Sequence, residues 1–510
     1  MAAFAAPPSA ASISSAQVRQ SAARARLRRA PPPVVARFSI EVVPSIRDVT
    51  ATEFHSVLTP ADSPFLYHDF LAALEETGCA TPETGWTPRH ILLRDIGDDG
   101  GGGGGSGDEG TTRASSPRRK NELVGVAVAY QKAHSFGEFV FDGGWAEASE
   151  SAGIPYYPKL QVGPPFSPVP GRRLLVPPSH PRADELRAAL AAALIQVAKA
   201  LRLSSVHVTF VEPAEVACLE GLGFLHRLGT RLEWTNAVAT PGPRAGRPYT
   251  NYDDFLGDFR SKKRSRMRRE RRAVTEGAGL DVRVLEGDAI PDAALDAMYS
   301  LYRATLFKKW PYGRQYLTRA FFDALKTSPW KRHLVLALAY RRTDAGTNAT
   351  VAADATPEGS VNHSANDDSG TIVAGTLSVV NHESGVLSGR YWGAVEAIPH
   401  TSLTHFELCY AAPVEWAIAR GLRVMEAGAG GEESKSERGF EAVPSSSAHW
   451  LAHRGLREAV RVFLHDERRA VGEVVSVMEA TSKVREKGRV AAAEAAAAAA
   501  RQGDTAGRLE

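Results

Sequence analysis

The chain has 510 residues, of which 43% are hydrophobic and 23% charged, and a formal net charge of +3. That is an ordinary globular composition, enough for about two to four domains, and its near-neutrality excludes a uniformly basic nucleic-acid coat. Three widely spaced cysteines, Cys79, Cys218 and Cys409, exclude a disulfide framework and a cysteine-rich zinc site and fit a reducing compartment.

Residues 1–37 hold six arginines and no acid and are rich in Ala and Ser. This is the composition of an organelle transit peptide, and the Ser and Ala content points to the plastid stroma before the mitochondrion. The folded part is expected to begin with a strand, "FSIEVV", near Phe38. A helix follows in "PFLYHDFLAALEETG", where Phe65, Leu66, Phe70, Leu71 and Leu74 share one stripe and Gly78 sits at the C-cap position. "HILLRD" (90–95) and "ELVGVAVAYQK" (122–132) read as strands around a glycine-rich polar insert at 97–120. "GEFVFD" (137–142) reads as a third strand, 183–202 as a long helix, "SSVHVTF" (204–210) as a strand, "AEVACLEGLGF" as a helix and "HRLGTRLEWTN" as another strand. The apolar part of the long helix is broken by Arg187, Gln196 and Lys199, and no run of eighteen uncharged apolar residues occurs, so no transmembrane helix is expected.

Residues 251–274 are expected to form one helix containing "SKKRSRMRRERR", eight cations against the single acid Glu270. The rest of the chain is net acidic, so the positive charge is a local patch. Beyond it the earlier order returns. "HLVLALAYRR" (333–342) and "TIVAGTLSVVN" (371–381) are strands around a polar insert at 343–370. An aromatic-rich strand, "VLSGRYWG", a helix over 404–420 and a strand over 422–429 follow. The repeat predicts a mixed α+β protein of two tandem domains, 38–250 and 275–468, joined by the basic helix 251–274. Residues 469–510 read as a helical, alanine-rich tail.

Several stretches are more specific. "PFLYHDFLAALEETG", "GWTPRHILL", "YQKAHSFGEFVFDGGWAEA", "YYPKLQVGPPFSPVPGRRLL", "FRSKKRSRMRRERRAV", "SGRYWG", "HFELCY" and "RGFEAVPSSSAHW" together resemble the FemAB-like family of N-acyltransferases, also described as a peptidoglycan biosynthesis or recognition family. The resemblance runs over about residues 39–468. It implies two domains of the acyl-CoA N-acyltransferase (GNAT) type and transfer of an acyl or aminoacyl group to an amine. The implied co-substrate is an acyl-CoA or an aminoacyl-tRNA, with no bound cofactor or metal. The implied acceptor is a small-molecule or peptide amine, and a tRNA partner follows from the second donor. The chain departs from the family where Gln-Gly-Glu-His-Lys precedes Arg-Gly-Phe. Here "GGEESKSERGF" places Gly430 for the Gln, has no His and carries one extra residue. Tyr410 is also followed by Ala411 where the family has a second tyrosine.

Candidate site residues follow from residue chemistry. Glu138 and Asp142, four apart on the expected strand and so on one face, can bind an ammonium and accept its proton. Trp145, Tyr156, Tyr157 and Lys159 would line the groove beside them. Arg390, Tyr391 and Trp392 can clamp an anion and stack a planar group. His405 is a natural base near neutral pH, with Glu407 on the same helix. Glu432, Lys435 and Arg438 form a polar cluster near the last strand. On the basic helix Lys262, Lys263, Arg266 and Arg269 are candidates for the phosphates of a carrier. Two other readings use the same residues: a glycan- or peptide-recognition module without catalysis, and an RNA-associated protein acting through the basic helix.

Overall fold

The computed structural model describes residues 38–96, 121–239, 243–309, 315–341, 370–395, 398, 401–428 and 432–480. The expected transit peptide, nearly all of both polar inserts, and the tail beyond residue 480 lie outside these residues. In chain order the strands are β1 (Phe38–Val43), β2 (Trp86–Pro88), β3 (His90–Asp95), β4 (Glu122–Ala127), β5 (Ala129–Lys132), β6 (Lys159–Val162) and β7 (Ser205–Val211). Then come β8 (Leu225–Thr235), β9 (Leu280–Glu286), β10 (Leu334–Arg341), β11 (Thr371–Asn381), β12 (Val386–Ala394), β13 (Val424–Glu426) and β14 (Glu441–Leu451). No helix among the described residues is long and apolar enough to cross a membrane.

The chain divides into two compact units. The first holds residues 38–229 with 445–469. Its small sheet has the order β1-β3-β4, and its larger sheet the order β2-β5-β6-β7 with the C-terminal part of β14. The β5–β6 pair is antiparallel, β6–β7 parallel and β7–β14 antiparallel. A parallel pair needs a crossover connection, and the Ala183–Ala200 helix lies in that link. One sheet face supplies Leu160, Val162, Val206, Val208, Ala448 and Trp450 to a core closed by Leu186, Leu190 and Leu194 of this helix.

The second unit holds residues 230–444 with 470–480 of the described chain. Its sheet runs β9-β10-β11-β12-β13 and ends on the C-terminal part of β8. Again antiparallel strands lead to one parallel pair, β12–β13, and then to an antiparallel strand. The helical stretch from Thr401 to Ala419 lies in the link and contains a π-helical turn, Glu407–Ala411. In each unit the last strand comes from a distant part of the chain: β14 completes the first sheet and β8 the second.

The structure corrects three expectations. "GEFVFD" is not a strand but a loop leading into the Gly143–Ser151 helix. Gly137 takes φ 82°, and a Cβ there would lie 2.7 Å from the Phe166 ring, so the chain turns where a strand would continue. The expected 251–274 helix is two helices, Tyr252–Gly257 and Ser261–Arg272. Asp258 leaves the helix to accept hydrogen bonds from the Ala239 amide (2.6 Å) and the Tyr249 hydroxyl (2.7 Å), and Phe259 is fully buried against Phe255. The unit boundaries also fall inside strands, at 229/230 and 444/445, not at the junction helix. Strands β2, β6, β9 and β14 and the helices Asp292–Lys309 and Arg319–Thr327 have no counterpart in the sequence reading.

Candidate active site

The first unit's sheet has a second face. Lys159 and Gln161 alternate with Leu160 and Val162 in β6, and Ser205, His207 and Thr209 alternate with Val206 and Val208 in β7. With the apolar set in the core, the polar set must point the other way. Gln161 and His449 are both register partners of His207, so the three side chains form a row across β6, β7 and β14. Such a face is usually solvated, but this one is covered. Lys159 and His449 are 0% exposed, His207 1% and Gln161 3%. The cover is an apolar layer in which Trp145 and Ala148 of the Gly143–Ser151 helix meet Leu456 and Val460 of the Arg454–Ala480 helix.

The loop after β5 delivers the acids. Phe139 in it is held at φ 60°, a left-handed conformation that costs a non-glycine residue about 1–3 kcal/mol and is characteristic of functional loops. The Lys159 ammonium donates to Glu138 Oε2 at 2.7 Å, Asp142 Oδ2 at 2.5 Å and Ser135 Oγ at 2.7 Å. The Tyr156 hydroxyl donates to the same Asp142 oxygen at 2.6 Å. Two buried carboxylates thus share one ammonium, and their environments separate them. Burial pushes Glu138 up to about 7; Lys159 pulls it down and the Asp142 charge pushes it up. Burial pushes Asp142 up too, but Lys159, His207 and its hydrogen bonds outweigh burial and hold it well below the usual carboxylate range. Asp142 is a permanent carboxylate, and Glu138 exchanges its proton near neutral pH.

Beside Asp142 lie two histidines that the sequence reading did not single out. His207 Nδ1 is 3.9 Å from Asp142 Oδ2 and 2.8 Å from His449 Nδ1, and His207 Nε2 is 2.8 Å from Ser205 Oγ. Burial and Lys159 lower His207 to about 3; burial and His207 lower His449 well below the ordinary range. Both rings are therefore neutral, and one Nδ1–H donates to the other Nδ1. Five buried atoms in this region have no partner among the described residues: Glu138 Oε1, Asp142 Oδ1, Gln161 Oε1, Trp145 Nε1 and His449 Nε2. Native interiors rarely leave such groups unmade, and unpartnered carboxylate oxygens call for a donor of hydrogen bonds, above all a cation.

Of the sequence candidates, Glu138, Asp142, Trp145, Tyr156 and Lys159 meet here, and Tyr157 joins through its hydroxyl, 2.8 Å from Ser135 Oγ. Lys159 is not a groove lining; it is the internal counter-ion. In "SSVHVTF" the alternation places Ser205 with His207 on one side, but nothing in it marks that side as covered.

The remaining candidates lie in the second unit. Arg390 is the extra residue of a bulge, because Leu377 pairs Tyr391 while Ser378 pairs Gly389. Tyr391 packs on Tyr302 at 4.9 Å, and Trp392 edge-on to His405 at 5.0 Å. Glu407 is buried and receives Arg271 Nε at 3.0 Å. Lys435 donates to the Gly428 carbonyl at 2.6 Å, and Arg438 sits over the Phe406 ring and donates to Glu270. The Glu432 side chain lies outside the described residues. A small open cleft lies between the basic helix and the Glu407–Ala411 turn. Its charged lining residues are paired internally, Arg271 with Glu407 and Arg438 with Glu270. A further acid, Glu426, accepts from Ser388 Oγ at 2.9 Å; burial raises it to about 7, with Arg231 opposing and Glu233 assisting. Among the carrier-phosphate candidates, Lys263 pairs with Glu437 and Arg266 with Glu270, while Lys262 and Arg269 are exposed.

Solved structures similar to this chain include a FemX crystal structure (13% identity, 81% of this chain and 98% of that one, TM-score 0.44). They also include L-PGS from Bacillus licheniformis (12%, 60% and 82%, 0.37) and a tandem GNAT protein from the clavulanic acid biosynthesis pathway (13%, 81% and 98%, 0.37). No curated protein matches the sequence. The family model described as peptidoglycan biosynthesis/recognition matches residues 45–356 and 350–486. The chain therefore belongs to the FemAB-like family.

Proposed function

We propose that this protein is an N-acyltransferase that moves an acyl or aminoacyl group from a carrier, a CoA thioester or an aminoacyl-tRNA, to a primary amine. The observation that carries this reading is the buried pair Glu138 and Asp142, which share the Lys159 ammonium and each keep an unpartnered oxygen. An acceptor ammonium would supply the hydrogen bonds that the two free oxygens lack. Glu138, near its midpoint at neutral pH, takes the proton, and the free amine attacks the carrier's acyl carbon. The C–N bond forms, the acyl–carrier bond breaks, and the proton that the attacking nitrogen loses passes to the departing thiolate or ribose oxygen, while Glu138 keeps the first proton until the product leaves. Lys159 and Tyr156 keep Asp142 ionised and in place. A recognition module would use the same cluster without the transfer step, and the family description couples biosynthesis with recognition.

The test is thermal stabilisation of the chain from residue 38 by acetyl-CoA, long-chain acyl-CoA and aminoacyl-tRNA. A saturable rise with one donor class is expected. Stabilisation by glycans or peptides alone, with no product from any donor, would favour the recognition reading. We also propose import into the plastid through residues 1–37; a fluorescent fusion to this segment should enter plastids, and a cytosolic fusion would refute it.

A further inference from the structure

We propose that the outward face of the Ser261–Arg272 helix is a docking surface for the phosphodiester backbone of an RNA. The eight cations of this helix fall into two sets. Lys263 and Arg271 are half-buried and tie the helix to its own unit, Lys263 on Glu437 at 2.9 Å and Arg271 on Glu407 and Glu415 at 3.0 and 2.7 Å. Met267 and Val274 bury the same side, with Arg264 half-buried at its edge. Lys262, Arg266, Arg268, Arg269 and Arg272 are exposed. Arg266 holds the largely buried Glu270 and Arg268 the exposed Asp253, with about half of each guanidinium side chain in solvent; an exposed pair such as Arg268 with Asp253 exchanges readily for another anion. Lys262, Arg269 and Arg272 make no ion pair among the described residues. At 100° per residue these three fall within about 80° of one another, along about 15 Å of helix. That is the span of several phosphates at about 3.4 Å per strand step.

The shape of the patch selects the partner. It is extended and convex, which suits a repeating backbone better than the compact diphosphate of a nucleotide. Four of its five cations are arginines, which bind phosphate oxygens in bidentate fashion. A membrane surface fits less well. An interfacial helix carries an apolar face for the bilayer, and here the outward positions are Ser261, Lys262, Ser265, Arg266, Arg268, Arg269 and Arg272, while the apolar side is buried in the protein. Nothing in this inference depends on the transfer reading.

The experiment is fluorescence anisotropy of a labelled RNA hairpin with the full chain over a salt series, beside vesicles of phosphatidylserine and phosphatidylcholine and beside CoA. Three to five phosphate contacts correspond to a log–log salt slope of about −2 to −3.5, or about a 20- to 100-fold loss of affinity between about 50 and 200 mM salt. The combined change Lys262→Gln, Arg269→Gln, Arg272→Gln keeps good helix formers and should flatten that slope by about 2, with an unchanged melting temperature. Should the triple variant fold poorly, Arg269→Gln alone should reduce the slope by about 0.7. Three results would overturn the proposal: no RNA binding, RNA binding that the variants leave intact, or binding to vesicles without RNA.

Discussion

Glu138 and Asp142 differ less in burial than in what remains to each after Lys159 is shared. Asp142 also receives the Tyr156 hydroxyl; Glu138 receives only the lysine. The consequence is a definite pH dependence. A carboxyl raised to about 7 in the folded state binds more protons there than in the unfolded chain between about pH 4.5 and 7. Its contribution is therefore complete below the unfolded value and is lost as pH rises through 7. The unfolding free energy of wild type minus that of Glu138→Gln should fall by up to about 3 kcal/mol from pH 5 to pH 8, as read by urea denaturation. A wild type that gains stability on the variant as pH rises would contradict the assignment. Asp142 has the opposite sign: its contribution is present above about pH 4 and is lost in acid, so Asp142→Asn should narrow the gap to wild type only below that pH. The acids stood out in the sequence as two carboxylates beside aromatics on one strand face; a loop, not a strand, brings them together on Lys159. His207 and His449 did not stand out, because each looks like one more polar residue on the solvent side of an alternating strand. Their role depends on a second cover over that face, which alternation does not encode.

Among the secondary-structure elements, regular alternation and helical stripes identified β1, β3, β10 and β11 and the Ala183–Ala200 helix closely. Failures have local causes. In β6, "PKLQVGPP" is bounded by proline and glycine and reads as loop; in β14, Pro444 and three serines read as a turn. Strand pairing with distant partners overrides both signals. The basic helix shows the same limit, since eight similar cations gave no hint of which would face inward. The structure separates them, and mutation can verify it. Arg271→Ala leaves the 2%-exposed Glu407 carboxylate without its partner and should cost about 1–3 kcal/mol, discounted for the partly exposed guanidinium. Arg269→Ala, at an exposed position, should stay within about 0.5 kcal/mol. Equal effects in denaturant titrations would mean that the helix faces are wrongly assigned.

For the molecule as a whole, the tandem arrangement was visible in the order of elements, but the exchange of final strands was not. A strand order in space cannot be read from an order in sequence when the closing strand lies more than two hundred residues away. Residues 446–451 pair with β7 and bring His449 to the cluster. Residues 38–229 alone would thus expose the β7 edge and lose part of the covering layer. That fragment should be insoluble or lack a cooperative melting transition, and a linked copy of residues 445–469 should restore one. A stable, cooperative fragment without them would show that β14 is dispensable to the first unit.

The most direct measurement is product formation, followed by mass spectrometry, from acyl-CoA and aminoacyl-tRNA donors with a mixture of primary amines, comparing wild type with Glu138→Gln. The expected result is an amide product from one donor class in wild type and a loss of about 100-fold or more in the folded variant, the range for removing a general base. Wild-type turnover in Glu138→Gln would place the chemistry elsewhere, with Glu426 of the second unit as the next residue to change.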